Sequence, residues 1–195
     1  MIKAVLRIIF RKKRWVVDIA TIKADIEAAD KARQERFEAE KKRRREELLG
    51  RIHRIDKGSE ILCDEINKHG EEVLVTRVIS GKNLEIKLHS LSRTIFNIAR
   101  VESTIYKDCY VSHINIDDVI SSYKGRGNGS IVLKHFINTV GELNSNCRLG
   151  IKYISGWLSP IDKENFNKLE YFYAKSGFEV NFTDDRESGS IRMEL

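Results

Sequence analysis

The sequence is poor in the residues that break or cross-link a chain, with one proline and three cysteines among 195 residues. A single proline and twelve glycines argue against a long disordered linker, and an apolar fraction of 41% is typical of a globular protein. Cys63, Cys109 and Cys147 form no CxxC pair, and the five histidines show no metal-binding spacing. The sequence therefore predicts free thiols in a reducing compartment and no metal site.

Long apolar runs are also missing, because no segment approaches the ~18 residues needed to cross a membrane. The longest candidate, "MIKAVLRIIF" at residues 1–10, is followed by "RKKRW", which reverses the charge order of a secretory signal. We therefore expect a cytoplasmic protein. The segment fits two roles, binding to an anionic membrane surface or packing as a short helix on the protein or a partner.

Positive charge is concentrated in the first third of the chain. Residues 1–57 hold 18 Lys and Arg against 10 Asp and Glu, whereas residues 58–195 hold 17 against 19. This asymmetry predicts a basic helical N-terminal extension over residues 1–57 and a separate domain over residues 58–195.

The N-terminal extension is rich in helix formers. Its apolar spacing predicts one long helix from about Asp18, as N-cap, to about Ile55, with Gly58 just beyond it. Such a helix is too polar to be buried on all sides. It either pairs along a narrow seam, as a coiled coil with a second protomer or another protein, or projects from the domain. The run "KKRRR" at residues 41–45 fits either contact with nucleic-acid phosphates or a solvated face that pairs with neighbouring glutamates.

The rest of the chain changes to the pattern of strands. The segments "EEVLVTRVIS", "LEIKLHSL", "RTIFNIARVE" and "CYVSHINI" predict an antiparallel meander with one face on a core. Before them, only "SEILCDEINK" offers a short helix. After the glycine-rich stretch at residues 123–130 come a helix, a strand, a second helix and two strands. The predicted fold class is a mixed α/β (α+β) domain with a central sheet.

The stretch "YKGRGNGS" puts three glycines directly before a helix. A P-loop needs Lys and then Ser or Thr after the last glycine, but Gly129 is followed by Ser130 and an isoleucine. A dinucleotide fingerprint needs GxGxxG early in a βαβ unit, whereas these glycines are spaced GxGxG after several antiparallel strands. What remains is a loop whose backbone N–H groups hold a pyrophosphate at a helix N-terminus, with Lys124 and Arg126 adding positive charge.

The stretch "KGRGNGSIVLKHF" resembles the acyl-CoA-binding signature of the GNAT superfamily of N-acyltransferases, Gln/Arg-x-x-Gly-x-Gly/Ala, with Lys124, Gly127 and Gly129 at its three defining positions. The later "NFNKLEYFYAKSGFEV" resembles the closing segment of that family, a tyrosine-bearing helix that ends in Gly-Phe. The resemblance covers roughly residues 84–195. It implies a GNAT-like fold with a central, mostly antiparallel twisted sheet, one splayed parallel strand pair and flanking helices, here preceded by the long N-terminal helix.

The resemblance also implies acetyl-CoA as acyl-donor cosubstrate and an amine as acceptor. The pantetheine arm would lie between the strand "YVSHINI" and its splayed partner "KYISGWLS". The implied cofactor-binding residues belong to the first of these strands, the glycine loop and the last helix: Ile114, Asn115, Ile116, Lys124, Gly125, Arg126, Gly127, Asn128, Gly129, Ser130 and Asn165.

The tyrosine of the closing helix maps to Tyr173, which is implied to protonate or hydrogen-bond the departing CoA thiolate. Tyr171 is the less favoured candidate, because the family residue stands four positions before Gly-Phe. Both assignments have structural alternatives. Tyr173 could pack with Phe172 and Phe178 as core, and Asn165 could cap its helix.

The sequence departs from the family pattern in two respects. Lys124 keeps a positive charge but lacks the bidentate geometry of Arg. The two helices that usually follow the first strand and shape the acceptor site have no counterpart between residues 71 and 116, and the long N-terminal helix is expected to take over their role. The general base stays open among four residues: Glu102, His113, Asp117 and Asp118.

The function predicted from these features is an N-acetyltransferase in which an amine attacks acetyl-CoA directly. The alternative is a catalytically inactive GNAT-fold binding protein that uses its basic helix to engage a protein, nucleic acid or membrane.

Overall fold

The computed structural model describes residues 19–91, 97–107 and 111–195. The predictions for "MIKAVLRIIF" and for Cys109 fall outside these residues. The chain divides into two compact units, the first ending at Arg45 and the second running from Glu46 to Leu195. The functional division after residue 57 stays a prediction.

Helix α1 runs from Ile19 to Ile55, which confirms the predicted long helix. In the first unit the side chains of residues 21–44 are all exposed, including the apolar Ile26 and Phe37. Of the described helices, none has the length and apolar character needed to cross a membrane. Pairing of α1 with a second helix stays a prediction.

The second unit is built on one eight-stranded sheet. Its strands, in chain order, are β1 Glu60–Ile66, β2 Glu72–Ser80, β3 Asn83–Ser90, β4 Asn97–Lys107, β5 Ser112–Ser121, β6 Ile151–Leu158, β7 Glu179–Phe182 and β8 Gly189–Glu194. They lie in the order β1-β2-β3-β4-β5-β6-β8-β7, and every neighbouring pair is antiparallel except β5 and β6. The predicted mostly antiparallel sheet with one parallel pair is confirmed.

Two helices follow β5 and β6 and cover one face of the sheet. Helix α2 runs from Asn128 to Cys147, and a 3-10 helix at Pro160–Asn165 leads into α3 at Phe166–Ala174. The apolar stripe of α2 is buried, as its spacing predicts, against the central strands. The core of the unit therefore lies between this face of the sheet and the two helices.

The expectation of a short helix at "SEILCDEINK" is wrong, because this segment forms the edge strand β1. Cys63 to Ile66 pair in order with Val75 to Glu72 of β2. A short isolated helix is marginal in water, whereas the hairpin pairs the backbone of β1 with an already buried strand. The pairing of β1 with β2 thus outweighs the helix propensity of the β1 residues.

The opposite face of the sheet is largely polar. Side chains of paired residues in neighbouring strands lie on the same face of the sheet. By this register, the polar face carries Glu85, Lys87, Arg100, Glu102, Asn115, Asp118 and Ser155. At the β2 end, Leu48 and Ile52 of α1 are buried against Leu74. The part of α1 that belongs to the second unit therefore covers one end of this polar face.

Candidate active site

Strands β5 and β6 diverge half-way along their length. They are paired in parallel from Ser112 and Ile151 to Ile116 and Gly156. Beyond that point, among the described strands, β6 pairs with β8 only and residues 117–121 of β5 pair with β4 only. The divergence leaves an edge of extended backbone on β5 that no described strand pairs with.

Gly156 stands where the two strands part, and a side chain there would be crowded. A Cβ atom at this position would lie 3.2 Å from the carbonyl oxygen of Ile116 and 3.0 Å from the side chain of Ile191. Close backbone approach, rather than a turn, therefore favours glycine here.

A β-bulge lies next to the divergence. Glu102 pairs with Asp118 and Ser103 pairs with Ile116, so Asp117 is the extra residue on β5. Its carboxylate accepts hydrogen bonds from Thr104 Oγ1 at 2.7 Å and Asn115 Nδ2 at 2.9 Å. The bulge bends the strand at the point where its edge becomes free.

The free edge of β5 leads directly into the glycine loop and α2. Gly125 and Gly127 have φ angles of 81° and 79°, in the left-handed region that favours glycine. Helix α2 begins at Asn128 without a side-chain cap. Among the described residues, the backbone N–H groups of residues 128–130 have no hydrogen-bond acceptor. Unpaired donors at the positive end of a 20-residue helix attract negative charge.

The β1–β2 turn holds this loop in place, a feature that the sequence did not reveal. The backbone N–H of Lys68 donates to the carbonyl oxygen of Arg126 at 3.1 Å, and Asn67 Nδ2 donates to Asn128 Oδ1 at 3.1 Å. The Lys68 stem covers Gly127, since a Cβ atom on that glycine would lie 2.9 Å from Lys68 Cγ. The loop is therefore positioned by a turn about 60 residues earlier in the chain.

The two basic residues of the loop differ in their surroundings. Lys124 is exposed and forms no ion pair with the described residues. The guanidinium of Arg126 lies 3.5 Å from Glu71 Oε2 and 5.5 Å from the centroid of the Tyr123 ring. Lys124 is thus available to an anionic ligand, whereas Arg126 is already held by a carboxylate and an aromatic face.

Tyr173 lies on α3, which runs beside the start of α2. A Cβ atom on Gly129 would lie 3.5 Å from the ring of Phe172. Tyr173 is 6% exposed and packs edge-on against Phe172 and Phe178, so the core packing considered from the sequence is present. Its hydroxyl has no hydrogen-bond partner within the described part of the chain.

Burial raises the pKa of Tyr173 well above its usual range, and the negative charges of Asp118 and Asp162 raise it further. The phenol therefore stays protonated at any physiological pH. Tyr171, by contrast, is 72% exposed with Lys175 over its ring. The structure thus gives the two tyrosines of α3 different environments, one buried and one exposed.

Asn165 occupies the N-cap position of α3 but makes no capping hydrogen bond with its side chain. The capping bond in this region belongs to Ser159, whose hydroxyl accepts from the Ile161 N–H at 3.3 Å. The alternative role of Asn165, capping of its helix, is therefore not supported by a side-chain hydrogen bond.

The four candidate bases have different partners. Glu102 pairs with Arg100 at 2.5 Å, and Asp117 is bonded at the bulge. His113 is stacked between Tyr106 and Tyr153, with ring centroids 5.1 and 4.9 Å away, in the paired half of β5. Asp118 is exposed and lies in the diverging half, and its carboxylate forms no hydrogen bond or ion pair with the described residues.

The cofactor-binding residues predicted on β5 lie in its paired half. Ile114, Asn115 and Ile116 are opposite Ile154, Ser155 and Gly156. The free backbone edge begins one residue later, at Asp117. The sequence predicted that these two strands diverge, but it carried no signal for the point of divergence, which depends on the pairing of β6 with β8. Cofactor binding by these residues stays a prediction.

The fold of the second unit resembles that of several solved structures. The GNAT domain of S. lividans PAT superimposes with a TM-score of 0.51 at 11% identity, covering 68% of this chain and 96% of that domain. The NatC complex bound to Gag peptide and CoA matches with a TM-score of 0.44 at 13% identity, covering 57% of this chain and 70% of that one. Arabidopsis thaliana NAA60 in complex with acetyl-CoA matches with a TM-score of 0.44 at 10% identity, covering 60% and 77%. No protein-family model matches the sequence, and no curated protein is significantly similar to it.

The chain has the GNAT fold, which confirms the fold implied by the two sequence motifs. At this level of identity the likeness establishes the fold and leaves the reaction to be argued from the site.

Proposed function

We propose that the protein is an acetyl-CoA-dependent N-acetyltransferase. The observation that carries this proposal is the divergence of β5 and β6 beyond Ile116 and Gly156, immediately before the glycine loop. A free edge of extended backbone that leads into unpaired N–H groups at a helix N-terminus suits a ligand with amide groups followed by a diphosphate. An acyl-CoA has these groups in that order.

The loop residues fit the diphosphate. The N–H groups of residues 128–130 and the dipole of α2 attract an anion, and Lys124 adds a charge that no described residue neutralises. The amide nitrogen of Asn128 is buried and has no partner among the described residues, which leaves one more donor beside the loop. In this proposal Arg126 supports the loop through Glu71 instead of binding phosphate directly.

The free backbone of residues 117–121 binds the amide groups of the pantetheine arm. Ile114 and Asn115 contribute indirectly, because their backbone is already engaged in the pairing of β5 with β6. The proposed contact with the pantetheine arm therefore lies a few residues closer to the glycine loop than the sequence predicts.

Acetyl-CoA supplies a thioester carbonyl that an amine attacks, with cleavage of the carbon–sulfur bond. Asp118, on the polar face of the sheet, accepts the proton that the amine loses. Tyr173, on the apolar side, holds its proton and donates it to the departing sulfur. An exposed carboxylate and a buried phenol are thus given opposite roles by their environments.

The acceptor amine approaches across the polar face of the sheet. This face carries Asp118 beside the divergence, and Trp157 follows on β6 with 65% of its surface exposed. The last turns of α1 cover the far end of the same face, at Leu74, and leave this part open within the second unit.

Calorimetry with acetyl-CoA on the full chain tests the first half of the proposal. We expect saturable binding of one molecule per chain, and absence of binding would remove the proposal. Release of the CoA thiol in the presence of polyamines, lysine peptides and peptides with a free α-amino group tests the second half. Binding without thiol release from any of these amines would instead support the GNAT-fold binding protein.

A further inference from the structure

Three side chains with metal-binding atoms converge where β1 meets α2, away from the diverging strands. Cys63 Sγ lies 3.6 Å from His135 Nε2, and Glu65 Oε1 lies 2.9 Å from the same nitrogen. All three ligand atoms fall within 4.8 Å of one another. The cluster is partly buried, with the His135 side chain 13% exposed and that of Glu65 26% exposed.

The spacing of these atoms fits a single tetrahedral metal ion. With Zn–S near 2.3 Å and Zn–N or Zn–O near 2.0–2.1 Å, tetrahedral sulfur and nitrogen ligands lie about 3.6 Å apart. This matches the separation of Cys63 Sγ and His135 Nε2. Nitrogen and oxygen ligands lie about 3.4 Å apart in such a site, so Glu65 needs to withdraw from His135 by only about half an ångström.

A catalytic thiol is the competing interpretation, and the geometry argues against it. A thiol–imidazole–carboxylate relay uses both ring nitrogens, one toward the nucleophile and the other toward the orienting acid. Here Cys63 and Glu65 both approach Nε2, so His135 cannot relay a proton between them. Burial and the neighbouring carboxylate also raise the pKa of the Cys63 thiol, which leaves it unactivated.

We propose that Cys63, Glu65 and His135 bind a zinc-type divalent metal ion. On binding, the Cys63 thiol loses its proton to solvent and the thiolate, the Nε2 lone pair and a carboxylate oxygen coordinate the ion. Water takes the fourth position. Lys134 Nζ now lies 2.9 Å from Glu65 Oε1, but its side chain is 60% exposed and is free to move to the other carboxylate oxygen.

The bound ion ties the edge strand β1 to α2. The turn that follows β1 holds the first residue of α2 through Asn67, so the metal reinforces a connection that the glycine loop already depends on. The role is structural and independent of the proposed acetyl transfer.

Cobalt(II) titration of the untagged full chain under reducing conditions tests the site. Thiolate coordination to cobalt produces a ligand-to-metal charge-transfer absorption, which we expect to saturate at one equivalent. The band should be lost in Cys63→Ser and retained in Cys147→Ser, which removes a free cysteine that is exposed. A wild-type chain without the band, or a band that survives in Cys63→Ser, would overturn the proposal.

Zinc affinity by competition with a chromophoric chelator gives a second measurement that does not need the thiol to be removed. Glu65→Gln keeps the shape of the side chain but removes the charge of a coordinating oxygen. It should weaken zinc binding by at least about tenfold, the smallest loss expected even for residues that only support a metal ligand. Zinc should also raise the unfolding temperature of the wild type. Unchanged zinc affinity in Glu65→Gln would count against the site.

Discussion

Asn67 Nδ2 donates a hydrogen bond to Asn128 Oδ1 at 3.1 Å, across 61 positions of sequence. The same amide group donates to Glu71 Oε2, and Asn67 Oδ1 accepts from the backbone N–H groups of His69 and Glu71. One buried side chain therefore shapes the β1–β2 turn and fixes the first residue of α2. Through this contact the geometry of the glycine loop depends on a hairpin outside the loop.

The first prediction concerns this link. Asn67→Ala leaves buried donors and acceptors of the turn unpaired, so we expect a loss of about 1–3 kcal/mol in the free energy of unfolding. Acetyl-CoA affinity should also fall, because the N–H groups of α2 lose their support. Urea denaturation and calorimetry measure the two effects. Asn181→Ala removes an exposed amide that bonds to Glu179 alone among the described residues, and it should change stability by less than about 0.5 kcal/mol.

The second prediction tests the proposed phosphate site without straining the loop. Gly129 has an ordinary φ angle, and a Cβ atom there would be in ordinary van der Waals contact with Phe172, so Gly129→Val should fold while its bulk crowds the N-terminus of α2. We expect acetyl-CoA affinity to fall at least about tenfold, or 1.4 kcal/mol. Gly127→Val is a poorer test, because a side chain there meets both a left-handed φ and Lys68.

Gly141→Val is the matched control for this experiment. Gly141 lies in the same helix with nothing within 4 Å of its would-be Cβ. Its substitution should leave acetyl-CoA binding as in the wild type. Equal affinities in the Gly129 and Gly141 variants would show that the loop is only a turn.

The third prediction separates binding from proton donation. Tyr173→Phe keeps the packing against Phe172 and Phe178 but removes the hydroxyl. We expect acetyl-CoA affinity to be retained and kcat to fall by about a hundredfold or more. Tyr171→Phe changes an exposed tyrosine two residues earlier and should leave both quantities unchanged. A fully active Tyr173→Phe variant would assign this residue to the core alone.

The fourth prediction concerns the general base. Asp118→Asn should lower kcat/KM, because an amide cannot accept the proton that the amine loses. Asp117→Asn changes the adjacent residue, whose carboxylate is bonded to Thr104, and should leave kcat/KM close to the wild-type value. Equal kcat/KM values for the wild type and Asp118→Asn would show that water accepts the proton.

The fifth prediction concerns the stability of the second unit. Lys87 Nζ lies 2.8 Å from Asp56 and 2.9 Å from Glu85, and the Lys87 side chain is 12% exposed. Lys87→Met leaves both carboxylates without this partner, so we expect a loss of about 1–3 kcal/mol at neutral pH. Lys163→Met, which breaks an exposed pair with Glu187, should cost less than about 1 kcal/mol.

The Lys87 contribution should also depend on pH. Burial lowers the pKa of Lys87, but its hydrogen bonds to Asp56 and Glu85 outweigh burial and raise the pKa overall. Because the folded-state pKa lies above that of the unfolded chain, the stabilisation is complete below the unfolded value of about 10.4. It is lost as pH rises through the folded-state value. Urea denaturation from pH 7 to pH 11 should show the wild type and Lys87→Met converging at the alkaline end.

Local sequence determined the elements of this fold with good accuracy. Helix α1, the glycine loop before α2 and the alternating strand β3 are each specified by spacing and turn residues within a few positions. The two motifs around Gly127 and Tyr173 also predicted the GNAT fold, because the conformation of a glycine loop and the end of a helix are local properties.

Tertiary structure alone decided the remaining features, and most of their partners are far apart in sequence. Strand β1 forms because β2 pairs with it, although its residues also suit a helix. The divergence of β5 from β6, the support of Asn128 by Asn67 and the convergence of Cys63 with His135 require sheet register and helix docking. Sequence reasoning reads periodicity over about ten residues, whereas these contacts span about 40 to 70 positions.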